Sequence, residues 1–328
     1  GGTFNGQNFT IEHMNAAAYE DVSYAFSGLF AKTDGAVLRD VSLRSGVVLM
    51  ENLGESNLYV GSLAGVIDSG TNVVNCVNES VDVVVRGHEA DDAEIGGLVG
   101  SVQSSSLYGC RNEGNVTTNE PSRDANGFAG GIAGGADAGK MLLCFNSGTL
   151  TSTGYPEADG LGCMYVGGIL GGAPGRSAKT QIIQCGNIGS VAPTGASYAA
   201  GIVSLVSWDA SDTNLQIASN YSAGPIGVAA SEDPSKVYAI CPNYIASLGG
   251  VSMNAYCTVN TDVLVAYELN DANFGNILGK TTAEMQGSAL LSDLNIKLYA
   301  YTGTDDPKAP SGDLLYNIYE WTNAPDHN

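Results

Sequence analysis

Positive charge is scarce in this 328-residue chain: 13 Lys and Arg stand against 34 Asp and Glu, for a formal net charge of -21. A surface of that sign repels phosphate backbones, which argues against a nucleic-acid partner. Charged residues of both signs make up only 14%, against the usual quarter. The Glu- and Lys-rich faces that helical repeats and coiled coils turn to water are therefore missing. No apolar run approaches the roughly 20 residues of a membrane helix, so insertion of that kind is not expected. Disorder does not fit either, because 44% of the residues are hydrophobic. Histidine is rare: His13, His88 and His327 lie far apart. His88-Glu89 is followed by Ala90, Asp91 and Asp92, so a His-Glu-x-x-His zinc site is not completed. What the chain has in excess is glycine, 44 residues of it, without the Gly-X-Y period of collagen.

The glycines repeat. A pair of small residues followed by two apolar ones reads Ser27-Gly28-Leu29-Phe30, Gly61-Ser62-Leu63-Ala64, Gly96-Gly97-Leu98-Val99, Gly130-Gly131-Ile132-Ala133, Gly167-Gly168-Ile169-Leu170 and Ala200-Gly201-Ile202-Val203. The second small residue falls at 28, 62, 97, 131, 168 and 201, in steps of 34, 35, 34, 37 and 33. A second motif shares the period: Cys76-x-Asn78, Cys110-x-Asn112-x-Gly114, Cys144-x-Asn146-x-Gly148 and Cys185-x-Asn187-x-Gly189. Three residues before the Cys position stand Leu38, Val73, Leu107, Met141, Ile182 and Ile217. Two residues after the Gly come Val116, Leu150, Val191 and Ile226, and Asp82 interrupts that pattern, which predicts a shifted register in the second coil.

A 34-residue period also fits a tetratricopeptide repeat. The segments decide against it, being short apolar runs bounded by Gly, Asn and Ser, none with ten uninterrupted residues of 3.6 periodicity. A unit of short strands cannot bury its own apolar face, whereas stacked copies share one core. The expected fold is all-β: a right-handed parallel β-helix of about seven to eight coils, roughly 34 residues each. In-register stacking brings equivalent residues to about 4.8 Å. Cys76, Cys110, Cys144 and Cys185 should then form an inward column of free thiols, with disulfides the alternative. Asn78, Asn112, Asn146 and Asn187 should stack their amides from left-handed bends. The glycine pairs should occupy tight corners with positive φ.

The ends differ from the middle. The opening Gly1 to Ile11 is a Gly-rich turn leading into a strand, without the charged and apolar regions of a signal peptide, which reads as a mature or trimmed chain. Residues 1–279 are expected to form the β-helix and 280–328 a C-terminal cap. There Thr281 and Glu284 make a capping box, and Met285, Leu290, Leu291 and Leu294 mark an amphipathic helix that covers the last coil's strand edges.

These motifs resemble the GLUG-repeat proteins, named for the run seen here as Gly97-Leu98-Val99-Gly100. The entry Gly2-Thr3-Phe4-Asn5-Gly6, the Cys-x-Asn-x-Gly runs and the closing segment from Lys280 to Asn295 are similar to that family. Its repeats occur in bacterial surface proteins and in the non-catalytic region of immunoglobulin A1 protease-like metallopeptidases. The resemblance implies a secreted or surface-displayed bacterial β-helix with adhesin-like roles, and no catalytic residues. The sequence departs from the pattern near 235–241, where no glycine pair is recognisable.

Candidate binding residues sit around the longer connections. In four coils the segment before the pair is acidic, with Glu89, Asp91, Asp92 and Glu94, then Glu120 and Asp124, Glu157 and Asp159, and Glu232 and Asp233. A solvated acidic face is one reading and a weak calcium site the other. Trp208, within 204–214, and Tyr155 and Tyr165, flanking another long connection, are the aromatic candidates for a sugar platform. No resident cofactor is expected. A host protein or a neutral glycan is the expected partner, on a surface loop rather than in a deep cleft. The alternatives are an accessory region of a larger surface protease and a β-helix enzyme acting on polysaccharides.

Overall fold

A computed structural model describes residues 1–19, 24–51, 57–87, 93–119, 126–154, 163–173, 180–195, 197–205, 215–227, 237–241, 251–252, 254–257 and 277–280. Among them there is no helix; every element is a strand, and the strands stack in parallel into a β-solenoid of about five turns with about 34 residues per turn. One turn runs through Ala93–Gly96, Val99–Gln103, Ser106–Tyr108, Arg111–Asn112 and Val116–Asn119. Equivalent strands of successive turns assemble four sheets, of seven, six, eight and thirteen strands; the last holds both closing strands of each turn. Registers follow the period: Asn78 pairs with Asn112, Asn112 with Asn146, and Asn146 with Asn187.

The core is the inside of the coil. Leu38, Val73, Leu107, Met141, Ile182 and Ile217 form one buried column, and Val116, Leu150, Val191 and Ile226 another. Residues at such positions touch their own copies above and below, so a single apolar choice is stabilised on both sides. The slip signalled by Asp82 is present. Asn78 pairs 34 residues ahead with Asn112, but Val83 pairs 33 ahead with Val116, leaving one extra residue between Asn78 and Val83. The Asp82 carboxylate takes up that residue by accepting the Asn115 backbone N–H at 3.0 Å and its side-chain Nδ2 at 3.1 Å.

The corners fall elsewhere than at the glycine pairs. Left-handed backbone recurs one residue before the Cys position, at Asp40, Asn75, Gly109, Leu143, Gln184 and Ser219. It recurs again after the second strand of the turn, at Gly35, Ser69, Ser104 and Ala138. Asn78, Asn112, Asn146 and Asn187 are absent from that set and lie in strands, so the bend expected at them belongs three residues earlier. Among the pairs, only Gly28 has positive φ. Glycine is needed there for space: a Cβ on Gly131 would collide with the Gly168 carbonyl and the Asn146 amide, and one on Gly97 with the Gly131 carbonyl and the Asn112 amide.

Beyond the sixth pair the repeat continues without its glycines. Val237–Tyr238 pairs with Ala199–Ala200, and Ile202 N–H donates to the Ile240 carbonyl, so Tyr238-Ala239 stands where a small pair stood. The helix expected over Lys280 to Leu294 lies outside the described residues, except for Lys280, which ends the strand Ile277–Lys280.

Candidate functional site

Two polar columns run up the interior. In the first, Asn78 Nδ2 donates to Asn112 Oδ1 at 2.8 Å, Asn112 to Asn146 at 2.9 Å, and Asn146 to Asn187 at 2.9 Å. Each amide also donates to a carbonyl of its own turn: Val81 at 2.8 Å, Gly114 at 2.8 Å, Gly148 at 3.0 Å and Gly189 at 3.1 Å. Asn78, at the bottom, accepts the Val81 N–H instead of a lower amide. All four are fully buried, and the chain of amides satisfies groups that would otherwise be costly. Above it Ser222 takes the position, and below it Leu43.

The second column is Cys76, Cys110, Cys144 and Cys185, buried free thiols that donate weakly to backbone carbonyls. Burial pushes the Cys76, Cys110 and Cys144 thiols well above their ordinary range; the thiol of the turn above adds to the effect in each, while Cys110 acts in the opposite direction on Cys144. Thiols held protonated in the core are poor nucleophiles. Asn220 closes the column, accepting the Cys185 N–H at 2.8 Å. Cys163 and Cys241 are also buried and free, with burial raising the Cys241 thiol to about 12. The side chain of Cys257 lies outside the described residues.

A third column lies on the outer side of the coil, where the strand before each pair meets the strand after it. Its register is Phe26, Tyr59, Glu94, Phe128, Tyr165 and Tyr198. The rings stack: Phe26 on Tyr59 at 5.5 Å, Phe128 on Tyr165 at 5.6 Å and Tyr165 on Tyr198 at 4.8 Å, with interplanar angles of 13°, 21° and 7°. The facing column from the second strand is Lys32, Val66, Ser101, Gly135, Gly172 and Leu205. The two columns touch, since a Cβ on Gly135 would strike the Glu94 carboxylate and one on Gly172 the Phe128 ring. The bend after the glycine pair therefore makes a concave face packed with aromatics. Phe26, Tyr59 and Tyr198 are half-buried, while Phe128 and Tyr165 are buried.

Of the residues singled out in the sequence, Tyr165 and Glu94 belong to this face. Glu94 is not on a solvated loop: it lies in the strand Ala93–Gly96 with 7% of its surface exposed. Asp91, Asp92, Tyr155 and Trp208 lie outside the described residues, as do Glu120, Asp124, Glu157, Asp159, Glu232 and Asp233. In the chain, the acidic segments with Asp91 and Asp92, with Glu120 and Asp124, and with Glu157 and Asp159 lead into strands that carry this column, and 206–214 follows a strand that carries the facing one. The column itself went unread in the sequence. Its signal was the aromatic two residues before the pair in four of six repeats, one before it at Phe26, with Glu94 as the exception. Among the described residues, no group of His, Cys, Asp and Glu is placed to hold a metal ion, and no helix is long and apolar enough to cross a membrane. Compared with known proteins, the chain matches no family model, no curated protein and no solved structure.

Proposed function

We propose that the chain is a GLUG-repeat module of a secreted or surface-displayed bacterial protein, non-catalytic and adhesin-like, that binds a host protein or a neutral glycan. The observation that carries this reading is the aromatic column on the concave face, presented by a stack of paired strands and bordered in the chain by several of its longer connections. Such a scaffold offers one extended surface rather than an enclosed cavity, which suits recognition better than turnover. The solenoid is right-handed, the hand that parallel strand crossovers favour. It continues to seven or eight coils, and 280–328 closes it with a short helix. Any calcium site on the acidic segments is weak. An array of neutral glycans and immobilised host-surface proteins, read with and without added calcium, tests the reading. Binding that is lost on replacing Tyr59 and Tyr198 supports it. Turnover of a polysaccharide by the purified chain, abolished by Asp91→Ala or Asp92→Ala, overturns it in favour of an enzyme.

A further inference from the structure

The outer corner between the eight-stranded and the thirteen-stranded sheet changes character as it climbs. Low on it the outward columns are charged: Arg39 pairs with Asp40 at 3.1 Å, and Arg44 with Glu79. Higher in the column of Arg39 stand Leu142 and Ile183, and higher in the column of Ser42 stands Phe145. Ile188 follows Asn187 as Arg44 follows Leu43, so it belongs to the column of Arg44 and Glu79. It is 47% exposed, the only large apolar side chain so exposed above the first turn among the described residues. The Tyr221 ring lies over Gly186, where a Cβ would strike it, with its centroid 6.5 Å from that of Phe145. The corner also becomes drier toward its C-terminal end. Asn75 is exposed at its left-handed bend, whereas Gln184 and Ser219, at the equivalent bends, are 3% and 0% exposed. Ser219 is smaller than Asn75 and, like it, follows a strand paired on both sides, so its cover comes from outside the stacked strands.

We infer that this apolar corner is the docking surface for a segment of the same chain, 314–321, which straps the upper turns from outside. The inference concerns other sheets than the aromatic column and depends neither on the binding-module reading nor on the proposed closing helix. The segment lies outside the described residues, and its chemistry matches the corner: Leu314, Leu315, Tyr316, Ile318, Tyr319 and Trp321 fill six of its eight positions. Tyr and Trp are the side chains that most often anchor apolar interfaces. The chain also leaves the described strands in the right place. Asn187, Ser222, Tyr256 and Gly279 lie in register, so Lys280 stands three strands above Ile188 on the same sheet. That is about 14 Å, which the residues 281–313 can span many times over. An apolar patch left bare on an otherwise polar outer face would favour aggregation, and a tethered segment covers it at no cost in concentration.

The test is photo-crosslinking in the full chain, with benzoyl-phenylalanine in place of Ile188 and the products mapped by peptide mass spectrometry. The expected product joins position 188 to 314–321 within one chain, in a yield that does not change on dilution. Placed instead at Thr151, which is exposed on the other half of the thirteen-stranded sheet, the same group should give little of it. Placed at Tyr319, it should label the strands around Phe145 and Ile188, which guards against a local effect of the replacement at 188. Tyr316→Ser, Tyr319→Ser and Trp321→Ser together should abolish the product from position 188 and increase the binding of an apolar dye, with the strand signal in circular dichroism unchanged. Equal yields from 188 and 151 would overturn the inference, because the segment would then be loose. A product between two chains that grows with concentration would overturn it in favour of self-association through the corner. Products with other parts of the chain, or none from either 188 or 319, would overturn it outright.

Discussion

Asn112 illustrates how one side chain holds two turns together. Its Oδ1 receives the Asn78 amide, and its Nδ2 donates to Asn146 and to the Gly114 carbonyl, all out of water. Asn112→Ala removes three contacts, takes the Asn112 donor from the buried Asn146 Oδ1 and the Gly114 carbonyl, and opens a small cavity; Asn78 keeps the Val81 and Gly97 carbonyls. A loss of about 2–4 kcal/mol is expected, to be measured by denaturant unfolding with attention to an unchanged m-value. The thiol column predicts a pH dependence. Burial raises the Cys76, Cys110 and Cys144 thiols above the ordinary value of 9.0 in the folded chain, so these three stay protonated where unfolded thiols ionise. Stability from this source is intact below that value and falls as pH rises above it, by about 1.4 kcal/mol per pH unit per thiol until the folded thiol also ionises. Unfolding measured between pH 8 and 10 should show that decline, and Cys110→Ala should flatten it by about one thiol's share.

At the level of the strand, register rather than propensity decides what is tolerated. The apolar columns, the thiols and the stacked amides were legible in the sequence because a residue that contacts its own copies must repeat at a fixed period. The conformation of the glycines was not. A glycine pair suggests positive φ, but the collision that requires glycine at 97 and 131 is with Asn112 and Asn146, residues far along the chain. The true corners accept Leu143, Gln184 and Ser219, because hydrogen bonds of the turns above and below hold the backbone left-handed whatever residue stands there. Glu94 was misplaced for a related reason. An acidic residue among Glu89, Asp91 and Asp92 reads as a solvated loop, and only the pairing of Ala93–Gly96 with Leu58–Gly61 puts it in the aromatic column. The extra residue near Asp82 gives a direct test of register. Deleting Asp82 gives this turn the Asn-to-Val spacing of the next one and moves the slip one turn back, so the fold should survive with a Tm a few degrees lower. Deleting Thr117, inside Val116–Asn119, turns the following residues over, putting Thr118 out and Asn119 in, and should abolish cooperative unfolding as followed by circular dichroism.

Across the whole molecule the energetics are nearest-neighbour: each turn is stabilised by the two it touches, so interior turns should be firmer than end ones. The described first turn shows the contrast. Phe4 and Phe9 are exposed, and Ile11, Met14 and Ala16 only partly covered, while the same columns higher up are buried. Everything argued for the amides, the thiols and the aromatic face depends on one claim, that residues one period apart lie one strand apart. The most direct test is a distance between far-separated positions of a single column. Leu49, Val84, Thr117, Thr151 and Ala192 lie in register, so Leu49 and Ala192 are four strand spacings apart. Spin labels on non-cysteine handles at these two positions, read by pulsed electron–electron resonance, should give one narrow distribution about 20–25 Å, from about 19 Å between backbones plus the label arms. A broad distribution, or a peak beyond about 35 Å, would contradict the in-register solenoid.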